Sequence, residues 1–148
     1  MTQKEKELLI KDLCMRLPYG VKAYVKNWSK LDRKWYEGVY TVESIHPSLN
    51  DILVCSERGS VEVILGYDDY EIKPYLFPLS SMTEEQKKEY NRWKHEIPVC
   101  RYEYGDVVEE VELFDSPESF EYLIENNFDC YGLIPMGLAE DATNLNVY

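Results

Sequence analysis

Hydrophobic positions change their period along the chain, and each change marks an element. Leu9, Ile10, Leu13 and Leu17 recur at helical spacing behind the capping-box pair Thr2 and Glu5, which predicts an amphipathic helix over residues 3–16, ended by Leu17-Pro18-Tyr19-Gly20. The period then falls to that of a strand. Val21, Ala23 and Val25 alternate with Lys22, Tyr24 and Lys26, and Asn27 to Lys34 is expected as a polar loop holding Trp28. Residues 35–46 are dense in aromatic and β-branched side chains and predict the clearest strand, with Gly38 as a candidate bulge. A turn at Pro47-Ser48-Leu49-Asn50 leads into a hairpin of Asp51–Cys55 and Val61–Leu65, and Tyr67–Ile72 can add one more short strand.

At the centre of the chain, Pro74 and Pro78 bracket Tyr75, Leu76 and Phe77. The rings fix φ and push Lys73 and Phe77 toward extended backbone, so neither a helix nor a central strand is expected to run through this joint. Its apolar side chains would cost roughly 1.5–3 kcal/mol each to leave in water, so the joint should lie against the core. Both Ser81–Glu84 and Thr83–Gln86 fit a capping box and predict a helix from Thr83 to about Glu96, with a narrow apolar stripe of Tyr90 and Trp93. Val99–Tyr104 and Val107–Phe114 read as a second hairpin. Ser116 before Pro117 and Glu118 starts a further helix facing Phe120, Leu123 and Ile124 inward, ended by Asn126-Asn127. Phe128–Ala139 is expected as a short apolar helical turn on the core, and Glu140–Tyr148 as a tail ordered if Leu145, Val147 or Tyr148 docks.

These elements predict an α+β fold: a small antiparallel sheet, SH3-like if it closes into a barrel, flanked by three to four helices. Residues 1–148 are expected to form a single domain in which a β-rich part, 18–73, shares one core with a helical, acidic part, 80–148; a chain of 148 residues is long enough for such a core.

Charge sharpens the picture. The formal net charge is −12, yet residues 1–34 hold nine Lys or Arg against four acids, while residues 102–148 hold twelve acids and no Lys or Arg. That balance disfavours direct binding to nucleic acid or anionic lipid, which needs clustered positive charge. With no membrane-length apolar run and no apolar leader after Met1, the expected location is the cytoplasm. Cys14, Cys55, Cys100 and Cys130 are widely spaced without a C-x-x-C pair and are expected as buried thiols.

Candidate chemistry is sparse. His46 and His95 are the only histidines, and no nucleophile elbow, phosphate loop or zinc-binding helix motif occurs, so no catalytic, cofactor-binding or metal-ligating residue is assigned. Asp68, Asp69 and Glu71 sit in a turn that would suit a small metal-dependent hydrolase if they held a cation such as Mg²⁺.

Interaction residues are better represented. Trp28, Trp35 and Tyr40, with Tyr36, Tyr67, Tyr70 and Tyr75, can build an aromatic surface for a peptide or partner subunit. Glu109, Glu110 and Glu112 head an acidic series running from Glu103 to Asp129 that would attract a basic protein, or mimic DNA toward a nucleic-acid-binding protein, if its members share a face. The expected partner is therefore a protein, with monomer and homodimer both open.

Three stretches together carry a resemblance. Leu17-Pro18-Tyr19-Gly20-Val21, the central Ile72–Thr83 segment, and Phe128-Asp129 with Gly132-Leu133-Ile134 and Gly137-Leu138-Ala139 resemble an uncharacterised family of small proteins from bacteriophages and mobile elements of anaerobic gut bacteria. The resemblance implies a bacterial cytoplasm and an accessory role, and it transfers no catalytic residue.

Overall fold

The computed structural model describes residues 1–148, except that the side chains of Val99, Arg101, Tyr102, Val108, Glu109 and Glu110 lie outside the description. The first helix, α1 (Gln3–Arg16), has the capping box in full: Thr2 accepts from the Glu5 amide and the Glu5 carboxylate accepts from the Thr2 amide. A 3-10 turn at Leu17–Tyr19 and Gly20 at φ 76° then deliver the chain into the sheet.

Strands β1 (Lys22–Ser29), β2 (Lys34–His46), β3 (Asp51–Ser56), β4 (Gly59–Ile64), β5 (Tyr70–Leu76) and β8 (Glu140–Asp141) form one six-stranded sheet in the order β4-β3-β2-β1-β5-β8. Every pairing is antiparallel except β5 with β8. No sheet closes among the described residues, so the architecture is an open α+β sheet rather than an SH3-like barrel. The inner face carries Val21, Ala23, Val25, Val42, Ile52, Val54, Val63 and Ile72, and α1 lays Leu9, Ile10 and Leu13 across it.

Several expectations need correction. Asn27, Trp28 and Ser29 extend β1 rather than looping, because Trp28 pairs with Trp35 across the ladder. Gly38 stays in register opposite Val25, and the irregularity falls between Val42 and Ser44, where β2 turns from its β1 partner to β3. Strand β5 does run through Pro74. The Trp28 amide donates to the Asp69 carbonyl at 2.9 Å, and counting along the ladder from there puts Ala23 and Pro74 in a non-hydrogen-bonded pair. Proline's missing N–H thus points away from β1, and no rung is lost. At the next position the rung is replaced: the Tyr148 hydroxyl accepts from the Lys22 amide at 3.2 Å and donates to the Tyr75 carbonyl at 2.8 Å.

Past Leu76 the chain is clamped rather than packed as a continuous apolar plug. The Phe77 amide donates to the Asn127 carbonyl and the Asp129 amide to the Phe77 carbonyl, both at 2.8 Å, while Leu79 is exposed. Helix α2 (Glu84–Arg92) begins at the capping box Thr83/Gln86, ends at Arg92 rather than near Glu96, and buries no residue fully. Helix α3 (Pro117–Glu125) starts at Ser116 and buries Leu123 and Ile124 as expected, with Phe120 only half-buried. Residues 128–139 form successive turns and not a helix, because the buried Asp129 carboxylate accepts from the Leu133 and Ile134 amides at 2.8 and 2.9 Å and organises a loop instead. Cys14 and Cys100 are exposed, contrary to their expected burial, and all four cysteines are free thiols.

Apolar burial falls in two clusters. The larger lies between α1 and the inner sheet face. The smaller joins Met82, Leu123 and Phe128 with Phe77, Tyr90 and Tyr122. Arg16 connects them. Both it and Asp12 are fully buried, and two parallel bonds of 2.8 Å join guanidinium to carboxylate. The same guanidinium donates to the Phe128 carbonyl at 2.7 Å and reaches the Ile124 carbonyl at 3.4 Å. Burial disfavours the Arg16 charge, but the Asp12 carboxylate outweighs it and holds the guanidinium above its ordinary value. Cys130 lies beside this group, where burial pushes its thiol up to about 11 despite the nearby cation, so it is a poor nucleophile.

Removing one member of a buried pair strands the other. Arg16→Met should therefore cost about 3–5 kcal/mol, read as a lowered denaturant midpoint, and Arg16→Lys should recover only part of it because an ammonium cannot make the paired bonds.

Candidate protein-interaction surface

Two hairpins present apolar side chains to solvent, and they carry opposite charge. In the first, β1 and β2 meet at the Lys30–Arg33 turn. Trp28 and Trp35 stand edge to face with ring centroids 5.4 Å apart, and the Lys26 ammonium lies 5.1 Å from the Trp35 ring centre. Trp35 is 45 % exposed and Leu31, on the turn, is 93 % exposed. On the same outer face the Tyr24 hydroxyl donates to Glu37 at 2.7 Å, and this bond, backed by partial burial, pushes the phenol up to about 12.

The predicted aromatic surface is divided. Tyr40 follows the opposite parity along β2 and packs on the core side, so it does not join Trp28 and Trp35. Tyr70 likewise packs on the core, Tyr67 is exposed in the loop before β5, and Tyr75 is buried beside the β8 edge.

The second hairpin, β6 (His95–Glu103) with β7 (Asp106–Phe114), is a separate two-stranded sheet. Its strands meet through Tyr104 and Gly105, both at positive φ, as a tight two-residue connection requires. Strand β6 begins at His95, ahead of Pro98 and not after it as expected. That residue is accommodated because the closing pair Glu103/Asp106 of such a turn is hydrogen-bonded, and alternation from it leaves the Pro98 nitrogen facing the outer edge. The root is anchored. The Ser116 hydroxyl donates to the Trp93 carbonyl, the Tyr90 hydroxyl donates to Asp115 at 2.5 Å, and Lys94 lies 4.3 Å from the Tyr90 ring centre.

Beyond that root the hairpin leaves the described apolar side chains uncovered. Val107 is 57 % exposed, Val111 63 % and Leu113 44 %, and with Pro98 and Cys100 they share one face of the arm. Ile97 and Phe114 lie on the other face, each close to half exposed. Two strands alone are marginally stable in water, so this is an unusual amount of apolar surface to leave unpacked. The hairpin itself follows from the alternation of its residues but its isolation does not, since alternation cannot say whether a face meets a core.

The Glu109 and Glu110 side chains lie outside the described residues, and Glu112 is half-buried. Farther along, Glu118, Glu121 and Glu125 recur at helical spacing on α3, where Glu121 accepts from the Tyr19 hydroxyl at 2.6 Å. In α2, by contrast, Glu84 and Glu89 pair with Lys87 and Arg92.

Catalytic geometry is sparse by comparison. Among the described residues no group of three His, Cys, Asp or Glu side chains could hold a metal ion, including around Asp68, Asp69 and Glu71. No helix among the described residues is long and apolar enough to cross a membrane. No family model, curated protein or solved structure matches the chain.

One carboxylate pair is perturbed. Glu62 lies within hydrogen-bonding reach of Asp51, whose bond and charge raise the Glu62 carboxyl above its ordinary value of 4.5, and one buried Asp51 oxygen has no partner. A carboxyl raised on folding stabilises the fold below its unfolded value, and that contribution is lost as pH rises through the folded value. Glu62→Gln removes the repulsion and offers Asp51 an amide donor. It should melt above the parent at pH 7, and the gap should close as pH falls through the raised Glu62 value toward 4.5, measured by thermal unfolding across pH.

Proposed function

We propose that this chain is a non-enzymatic accessory protein of a phage or mobile element that works by binding another protein, and that the β6–β7 arm is its binding element. The observation that carries this reading is the uncovered row of Val107, Val111 and Leu113 on a hairpin that, among the described residues, is held at its root. An apolar strip of this kind, with Glu96 on its own face and the acids Glu103 and Asp106 behind it at the tip of the arm, has the make-up of an interface with an apolar centre and a charged edge. Its acids favour a basic partner. The resemblance to phage and mobile-element proteins supports a partner in a bacterial cytoplasm.

A second reading rests on α3. Glu118, Glu121 and Glu125 form an acidic row on a helix with no Lys or Arg, which supports an inhibitor that takes the place of DNA on a nucleic-acid-binding protein. Salt separates the two. A mimic of phosphate should lose most of its affinity between low and high salt, whereas contacts centred on an apolar strip should persist.

The test compares the parent with Val111→Lys/Leu113→Lys and with Glu118→Gln/Glu121→Gln/Glu125→Gln as baits in a bacterial lysate at both salt levels, with retained proteins identified and their affinities remeasured in purified form. The arm variant should weaken binding roughly tenfold or more while its thermal transition stays close to that of the parent. Equal retention by parent and arm variant would overturn the arm as the binding element, and loss only in the α3 variant would favour the mimic.

A further inference from the structure

We infer that the arm's partner includes a second copy of this chain, and that the β6–β7 arm of one copy docks on the β1–β2 tip of another. The inference rests on the proposal that the arm is a binding element, and it names the surface that the arm fits. Residues 95–114 carry six acids against Arg101, beside an apolar strip. Residues 26–35 carry four cations, Lys26, Lys30, Arg33 and Lys34, against Asp32. They share the tip with Leu31 and Trp35, both exposed large apolar side chains, Lys26 lying over the Trp35 ring and Lys34 over that of Tyr36 on the other face.

Each hairpin thus offers what the other lacks. Both are uncovered, and each combines an apolar centre with a rim of charge opposite to that of the other. At about 3.3 Å per residue, the nine-residue strands of the arm reach roughly 30 Å, long enough to span the tip of a hairpin and its flanking strands. Because every copy carries both surfaces, two copies related by a two-fold axis can exchange arms and make the contact twice, which closes the assembly as a dimer.

Charge reversal tests this directly. Sedimentation velocity in reducing buffer, from micromolar to near-millimolar protein, should show the parent associating reversibly and more weakly as salt is added. Glu96→Lys/Glu103→Lys/Asp106→Lys takes the arm from a net −5 to +1, so both hairpins of a copy are positive, and Lys30→Glu/Lys34→Glu takes the tip from +3 to −1, so both are negative. Each variant alone should associate at least tenfold more weakly than the parent. An equimolar mixture of the two should recover association as a mixed pair, since both arm-to-tip contacts are then complementary. Circular dichroism and thermal melting confirm that the variants fold.

A parent that stays monomeric throughout the range overturns the inference. So does association that ignores both reversals, or a mixture that stays apart. If the parent is monomeric but its arm still captures another protein in the lysate experiment, the second-copy docking fails while the arm's binding role stands.

Discussion

The structure depends on one buried cation. Arg16 closes α1, and its guanidinium satisfies Asp12 from its own helix and two carbonyls, Ile124 and Phe128, from more than a hundred residues later in the chain. Those carbonyls mark the end of α3 and the start of the loop that clamps Phe77, so a single side chain sets where the smaller apolar cluster sits against the larger one. Apolar contact alone would let the two clusters slide. A planar fork with fixed bond directions does not, which is why arginine rather than lysine suits this place.

Much of the local structure was legible in the chain, and for definite reasons. Thr2 with Glu5, Thr83 with Gln86 and Ser116 before Pro117 declare helix starts because each satisfies amides that would otherwise lack partners. The alternation of Val21, Ala23 and Val25 assigned the inner face of β1 without ambiguity. What stayed hidden depends on partners distant in sequence. Pro74 is admitted to a strand because its ring falls at a non-bonded position, a fact of register. Tyr40 lies opposite Trp35 in facing for the same reason, since parity along β2 decides it while composition does not. Arg16 looked like an ordinary basic residue in the last turn of a helix, and Asp129 like one more acid. Their roles exist only once the carbonyls and amides they serve have been brought to them.

The candidate surface was legible in part. The tryptophans, the basic front and the acidic rear could all be read from the sequence. That the β6–β7 hairpin stands apart from the main sheet could not, because its residues alternate as those of a packed strand would. The fold gathers a chain-wide charge gradient into two hairpins of opposite sign, while α2 pairs charges of its own within the helix.

An uncovered hairpin is also a hazard, since its outer edges invite any extended chain to add a strand. Pro98 answers this on β6. Its nitrogen points outward and bears no hydrogen, so an incoming strand would find a gap midway along that edge. Growth by backbone zippering is thereby discouraged, and recognition is left to side chains, where shape and charge can discriminate between one binder and the next.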